Sequence, residues 1–185
     1  MKEYQKLAMR TSNTHGHDKI ENGLLGLIGE TGELVDVLKK YKFQSGLNPK
    51  LPAEKIADEL GDVLWYLAEQ ADGMDKALID ISGKDFDEIN RLMNRASRKN
   101  RPLKKMPIDK AIMELSDRAA RLRRSIYRKD RASVYACIRY MLKDSENIAN
   151  LAGYTLEQVA QMNIDKLKKR YPNGFDAGIS MGRYM

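Results

Sequence analysis

The sequence is short of several residue types and patterns, and each shortage excludes a class of protein. Its 185 residues include one cysteine, Cys137, which excludes an internal disulfide and fits a reducing cytoplasm. The helical pattern around Cys137 predicts an inert, buried thiol. No apolar run approaches the roughly 20 residues that a membrane-spanning helix needs. The first residues lack the apolar core of a secretory signal, so we expect the chain to stay in the compartment that makes it.

The positive charge is concentrated in one part of the chain. The net charge is +7 at neutral pH, but residues 84–131 alone carry +9 and the remainder carries −2. Such a segment either meets a polyanion or forms a solvated helical face whose long Arg and Lys stems cover the core. Composition favours the solvated face. We therefore expect neither nucleic acid nor a membrane as a partner.

Apolar residues recur with a helical period almost throughout, so the sequence predicts an all-α protein. A capping box of Asp18 with Glu21 is expected to open a long helix that ends near Phe43. A second capping box, of Thr155 with Gln158, opens the last helix. No segment alternates with a strand's period of two for long enough to propose a sheet. The predicted helices cover 3–10, 18–43, a stretch beginning near 53, 108–127, 132–151 and 155–170.

These helices are expected to pack as an antiparallel bundle with short connections. We predict one domain over residues 1–185, with residues 77–150 as a basic helical insertion. Inside the insertion, a helical pattern is expected to continue before a proline-containing linker at 100–109. The residues of that pattern are Phe86, Ile89, Leu92 and Met93. Two apolar stripes supply the predicted core, one with Leu24, Leu27, Ile28, Leu34, Val35 and Leu38, the other with Ile56, Leu60, Val63, Leu64 and Leu67.

Four carboxylates lie at the edges of these two stripes. Glu30 and Glu33 are three residues apart, as are Glu59 and Asp62, so each pair shares one helix face. If the helices pack antiparallel through their stripes, the four groups converge and raise one another's pKa unless a cation neutralises them. Hard oxygen ligands suit Mg²⁺, with Mn²⁺ as a substitute. The alternative is that both pairs are ordinary solvated faces.

Glycines beside these acids indicate that another group approaches the helix backbone closely. Gly29, Gly32 and Gly61 lie inside predicted helices, where glycine costs about 1 kcal/mol relative to alanine. Either a packed neighbouring helix or a ligand would explain them.

Three segments together resemble the MazG-like branch of the all-α nucleoside triphosphate pyrophosphohydrolases. They are GLLGLIGETGELVDVLKKYKF, IADELGDVLWYLA and YTLEQVAQMNIDKLKKRYPNGF. The family pattern is EExxE followed by ExxD, and here 25 residues separate Glu33 from Glu59. The first acid of EExxE is replaced by Gly29, which leaves the number of metal ions open.

The resemblance implies Mg²⁺-dependent hydrolysis of a (deoxy)nucleoside triphosphate to the monophosphate and pyrophosphate. It implies that Glu30, Glu33, Glu59 and Asp62 are the catalytic and metal-binding residues. In the relatives that it resembles, two or more identical chains complete the bundle, so the resemblance implies a dimer or tetramer. The alternative is that the inserted helical hairpin replaces the partner chain and completes the bundle itself. Which base and sugar are preferred stays open.

Basic and polar side chains would bind the substrate in such an enzyme. The resemblance implies this role for Asn163, Lys166, Arg170 and Tyr171, and Lys40 lies on nearly the same helix face as Glu33. Cations near a helix C-terminus are alternatively ordinary dipole partners. Two further expectations concern neighbours of the acids: Asp58 points elsewhere, as a surface or supporting residue, and Trp65 belongs to the core in preference to stacking on a base. The substrate-binding candidates are therefore Lys40, Asn163, Lys166, Arg170 and Tyr171.

The insertion repeats part of the acidic spacing found in the first two long helices. Glu114 and Asp117 repeat the spacing of the first acidic pair, whereas Ser133 and Ala136 fall where the second pair would be. This indicates a degenerate second hairpin, with coincidental helical register as the alternative. The alternative function is a non-catalytic helical module that binds nucleic acid or protein through the basic insertion.

Overall fold

A computed structural model describes residues 1–47, 49–83 and 107–176 of the chain. Within these ranges the protein contains seven α-helices and no strand, which confirms the predicted all-α class. The helical pattern predicted at Phe86, Ile89, Leu92 and Met93, and most of the predicted linker at 100–109, lie outside the described residues. The helices are α1 (Lys2–Met9), α2 (Asp18–Phe43), α3 (Ala53–Asp72), α4 (Leu78–Ser82), α5 (Ile108–Tyr127), α6 (Arg131–Leu151) and α7 (Leu156–Arg170).

Helices α2 and α3 form a hairpin whose facing stripes are the centre of the core. On α3 every residue of the predicted stripe is buried, because those side chains pack between α2, α1 and α7. On α2 the stripe is narrower than predicted, since Ile28 is 42% exposed while Leu27 and Leu34 are fully buried. The turn between the helices follows Gly46, whose φ of 73° suits glycine.

The ends of the helices show which local signals decided the boundaries. The capping box of Thr155 and Gln158 is present, with reciprocal bonds of 3.2 and 2.8 Å, and confirms the start of α7. The capping box predicted for α2 is wrong: His17 is the N-cap residue and makes no side-chain cap bond. Asp18 and Glu21 still lie in the first turn, where their negative charge favours the helix dipole.

Helices α5 and α6 form a second hairpin, joined at Lys129 and Asp130 as the sequence predicts. Asp130 caps α6 by accepting a bond from the backbone N–H of Ser133. Helix α5 packs on α2, and α6 packs on α3 and α4. That residues 77–150 are an insertion in one domain over 1–185 stays a prediction. None of the helices in the three described ranges has a stretch long and apolar enough to cross a lipid bilayer.

Candidate active site

A cleft of about 550 Å³ opens between α2, α3, the end of α7 and the connection that precedes α2. Its floor is acidic, because both acidic pairs line it. Its rim carries Lys55, Lys166 and Arg170. The described surface therefore places the carboxylates predicted from the two helices in one shared cavity.

Three of the four predicted carboxylates converge. One oxygen from each of Glu30, Glu33 and Glu59 lies within 4.8 Å of the others. The spacing of three residues on α2 turns Glu30 and Glu33 toward the same side, and the antiparallel partner helix brings Glu59 opposite them. Glu59 is 3% exposed, Glu30 is half-buried and Glu33 is exposed, so the cluster runs from the core to the cleft mouth.

This convergence changes the acidity of the cluster. Burial, followed by the charges of Asp62, Glu33 and Glu59, raises the pKa of Glu30 to about 7. Burial also raises the pKa of Glu59, although the ammonium of Lys55, 2.6 Å away, opposes that shift. Carboxylates that hinder one another's ionisation at this distance form a site that a cation would relieve.

Asp62, the fourth predicted carboxylate, lies in the cleft but is paired with basic and amide groups instead. Lys166 on α7 donates to Asp62 Oδ2 at 2.7 Å and to Asp58 Oδ1 at 2.6 Å. The expectation that Asp58 points elsewhere is wrong, since it lines the cleft. Burial alone would raise the pKa of Asp58, but its bonds to Lys166 and Lys55 outweigh burial and lower it. The lysine thus ties α7 to two acids one turn apart on α3.

Asn163 is placed differently from the prediction. It is 2% exposed and lies behind the cleft, where it donates to Asp62 Oδ1 at 3.1 Å and accepts from the Tyr4 hydroxyl at 3.0 Å. A Cβ on Gly61 would lie 2.9 Å from the Asn163 Cβ, so only glycine allows α7 this close. Asn163 therefore orients Asp62 and does not reach the open cleft.

Lys40, like Asn163, does not line the cleft. Its ammonium is 2.6 Å from Asp36 Oδ2, four residues earlier on α2, and its side chain is 62% exposed. Lys40 shares a face of α2 with Glu33 but lies seven residues, or about 10.5 Å, farther along the helix axis. Its role as a phosphate ligand stays a prediction.

Aromatic side chains form the opposite end of the cleft. Trp65 is half-buried and lines the cavity, so it is only partly the core residue that the sequence predicts. Its indole N–H is directed to the carbonyl of Ala8 and the hydroxyl of Thr11, at 3.1 and 2.9 Å. Tyr171 also lines the cleft, 5.7 Å from the ring of Phe175. The ring face of Trp65, with its N–H fixed, is a surface on which a flat group can stack.

A buried carboxylate that sequence reasoning missed holds the connection between α1 and α2. Glu69 is completely buried and accepts bonds from Ser12, Thr14 and Asn22 at 2.8, 2.6 and 2.6 Å. Asn13, between the two hydroxyl donors, is exposed and lines the cleft. The available signal was a glutamate inside an apolar stretch of α3, facing a polar loop.

The glycines beside the acids divide into two groups. Gly61 is explained by the approach of Asn163, which confirms a close neighbour at that position. Gly29 and Gly32 are not explained in this way, because a Cβ on either would meet nothing within 4 Å among the described residues. At those two positions no packed neighbour is present among the described residues, and a ligand stays the other interpretation.

The fold and the cleft define a class: a helical-bundle protein whose neighbouring helices present an oxygen-donor cluster suited to a divalent cation. Residues 19–98 match the family model described as MazG nucleotide pyrophosphohydrolase domain, and this range contains all four predicted carboxylates. This match confirms, over residues 19–98, the resemblance seen in the sequence. The basic rim on α7 lies outside the matched range.

One curated relative is the "Gene 37 protein" of Mycobacterium phage L5. It is 32% identical over 75 residues, which are 40% of this chain and 63% of the phage protein. The match thus spans less than two thirds of the relative's length. No solved structure matches this chain.

Proposed function

We propose that the protein hydrolyses nucleoside triphosphates to the monophosphate and pyrophosphate, with Mg²⁺ or Mn²⁺ bound in the acidic cleft. The observation that carries the proposal is the convergence of Glu30, Glu33 and Glu59 within 4.8 Å, opposite the ammonium of Lys166. The match to the MazG family model supports the proposed reaction class, and the lining of the cleft supports the proposed residues.

The cluster fits a hard divalent cation. All its donors are carboxylate oxygens, and burial, followed by the charges of Asp62, Glu33 and Glu59, raises the pKa of Glu30 to about 7. Glu30, Glu33 and Glu59 would hold the cation, and Asp62 lies beside them as a fourth acid. When bound, Mg²⁺ or Mn²⁺ would withdraw charge from the phosphate oxygens and acidify the attacking water.

The chain's own groups would orient the triphosphate. Lys166 and Arg170 line the cleft from α7, Lys166 in contact with Asp58 and Asp62, and each can bind phosphate oxygens. Asn163, buried and bonded to Asp62, holds that acid in one orientation. In this arrangement acids from α2 and α3 face the cation and bases from α7 face the phosphates.

The other end of the cleft would take the nucleoside. Trp65 offers a ring for stacking, and the amide of Asn13 offers a donor and an acceptor to a base edge. Because Glu69 fixes the connection on either side of Asn13, this end is already ordered before a substrate arrives.

The test is pyrophosphate release from the four common deoxynucleoside and four ribonucleoside triphosphates, with Mg²⁺, with Mn²⁺ and with EDTA. We expect metal-dependent release, and a loss of at least about 100-fold in kcat/KM for Glu59→Gln. Glu54→Gln is the matched control, since Glu54 is an exposed acid on the same helix and should change activity less than about two-fold. Release of phosphate in place of pyrophosphate, or an active Glu59→Gln variant, would contradict the proposal.

Assembly with identical chains is a further part of the proposal. Leu25 and Ile28 on α2 are 63% and 42% exposed, on the side of the helix away from α3. Light scattering after gel filtration should give a dimer or tetramer, and a monomer at all concentrations would contradict it. We also keep the cytoplasm as the proposed compartment, because the chain has a single cysteine.

A further inference from the structure

A second groove lies between α5 and α6, near the end where the two helices join. Its volume is about 340 Å³, and no residue lines both it and the acidic cleft. One wall is formed by four arginines spaced about one helical turn apart, three on α5 and one at its C-cap. They are Arg118, Arg121, Arg124 and Arg128.

The charge in this groove is only partly neutralised. Arg118 is paired with Asp144, and Arg121 with Asp117 at 2.8 Å. Within the described ranges no ion pair is recorded for Arg124 or Arg128. Residues 118–131 contain seven Arg and Lys but one acid, Asp130, whose carboxylate is engaged in capping α6. The wall therefore keeps free guanidinium groups in solvent.

The opposite wall, on α6, is formed by small side chains and one aromatic side chain. Ser133, Ala136 and Cys137 lie on the same face as Tyr140, which is 48% exposed and has the guanidinium of Arg118 4.8 Å from its ring centre. The predicted burial of Cys137 is wrong, since the thiol is half-buried in this groove. Tyr127, at the end of α5, is 72% exposed. Flat rings therefore flank the row of arginines.

We propose that this groove binds single-stranded nucleic acid without sequence preference. A row of guanidinium groups spanning about 15 Å along α5 can follow a phosphate backbone, and exposed tyrosines can stack on its bases. The small residues of α6 leave room for a flat base between the walls. An acidic peptide could pair with the arginines but offers no flat rings to the two tyrosines, whose rings now contact the guanidinium groups of Arg118 and Arg123, at 4.8 and 5.2 Å. This inference does not depend on the activity proposed for the cleft.

The experiment is fluorescence anisotropy of a labelled 20-nucleotide oligo(dT) with the full chain over a series of salt concentrations. Two to four phosphate contacts predict a slope of log K against log salt of about −1.4 to −2.8. Arg124→Glu/Arg128→Glu should weaken binding at least about ten-fold and make the slope shallower by about 1.4. Lys2→Glu/Lys6→Glu, the same charge change at exposed positions on α1, should bind within about two-fold of wild type.

A second pair of variants tests the aromatic wall. Tyr140→Ala should weaken binding about five-fold or more, whereas Tyr140→Phe, which keeps the ring, should not. Circular dichroism shows whether each variant remains helical, and the milder Arg124→Gln/Arg128→Gln should shift binding in the same direction as the charge reversal.

Several outcomes would overturn the inference. These are no binding by wild type at low salt, equal losses in the α1 control, and tighter binding of the matched duplex. Displacement of the oligonucleotide by polyglutamate at equal charge would favour an acidic protein partner. Displacement by a free nucleoside triphosphate, with Arg124→Glu/Arg128→Glu unaffected, would place the oligonucleotide in the acidic cleft.

Discussion

The two helical hairpins share an architecture but present opposite chemistry. The α2–α3 hairpin directs five carboxylates into one cleft, three of which converge, while α5–α6 presents a row of arginines to an open groove. Where the first has converging acids, the second has Asp117 paired with Arg121 on its surface and Ser133 and Ala136 in the basic groove. The packing of a hairpin therefore leaves its chemistry open, and a few residues at the edge of each apolar stripe decide it.

The two hairpins also differ in the glycine content of their helices. Helices α2 and α3 together contain five glycines, whereas α5 and α6 contain none. Each interior glycine costs helix stability relative to alanine. The helices of the acidic hairpin therefore have low intrinsic helix propensity at five positions, whereas the helices of the basic hairpin have no glycine that lowers theirs.

The largest expected difference comes from removing an acidic pair from each hairpin. Glu30→Gln/Glu33→Gln should lower metal-dependent pyrophosphate release at least about 100-fold, because two of the three converging ligands are lost. Glu114→Gln/Asp117→Asn, the matched change in the second hairpin, should leave pyrophosphate release within about two-fold of the wild-type rate. Titration calorimetry with Mn²⁺ measures binding directly. Loss of Mn²⁺ binding in Glu114→Gln/Asp117→Asn would show that the basic hairpin also takes part in metal binding. It would contradict the proposed difference between the two hairpins.

The next effect concerns the fully buried glutamate of each hairpin. Glu69→Gln should lower the free energy of unfolding by about 1–3 kcal/mol, because Ser12 and Thr14 would bond a neutral amide oxygen in place of a carboxylate, even when Asn22 rotates to accept from the new amide. Glu146→Gln should cost less than about 1 kcal/mol, since Asn150 can rotate to accept from the new amide while the Leu156 N–H keeps an acceptor. Urea unfolding measures both, and equal costs would contradict this distinction.

Two glycine replacements within α2 should have effects of opposite sign, and the stabilising one should be smaller than the effect of Glu69→Gln. Gly29→Ala should raise the free energy of unfolding by about 0.5–1 kcal/mol, because its Cβ meets open space. Gly26→Ala should lower it by about 1–3 kcal/mol, because its Cβ would lie 2.1 Å from the Tyr66 ring. Thermal unfolding measures both. A destabilised Gly29→Ala variant would instead indicate that this face is covered by another chain in solution.

The smallest effect is a pH dependence in the second hairpin. Burial raises the pKa of Glu146 above its ordinary 4.5, against the opposing bonds from Asn150 and Leu156. The folded state then holds this proton more tightly than the unfolded state does, so stability falls as pH rises from about 4.5 through the higher folded pKa. Glu146→Gln should remove that part of the slope in urea unfolding between pH 4.5 and 8. An unchanged slope would contradict the assignment.

The sequence predicts the helices well because their signals are local. Apolar period, Gly and Pro breaks and the capping box at Thr155 gave the ends of α2, α5 and α7 correctly. The capping box at Asp18 failed because the preceding residue, His17, already occupies the cap position. Helix α4 was not predicted, since five residues are too few to show a period.

Site residues on one helix were easier to predict than those that depend on a distant partner. The spacing of three residues gave the facing acids of α2 and α3. It could not show that Asn163 lies behind Asp62, or that Lys166 reaches Asp58, because both depend on how closely α7 approaches Gly61. The role of Glu69 was hidden for the same reason, since its donors lie up to 57 residues away.

The bond between Lys166 and Asp62 joins positions 104 residues apart. A ribosome adding about 5–20 residues per second needs roughly 5–21 s to make that stretch after Asp62. During this interval the acids of the first hairpin exist without the lysine that neutralises them. The acids of α2 and α3 are therefore synthesised first, and Lys166 reduces the repulsion among them only when α7 has been synthesised.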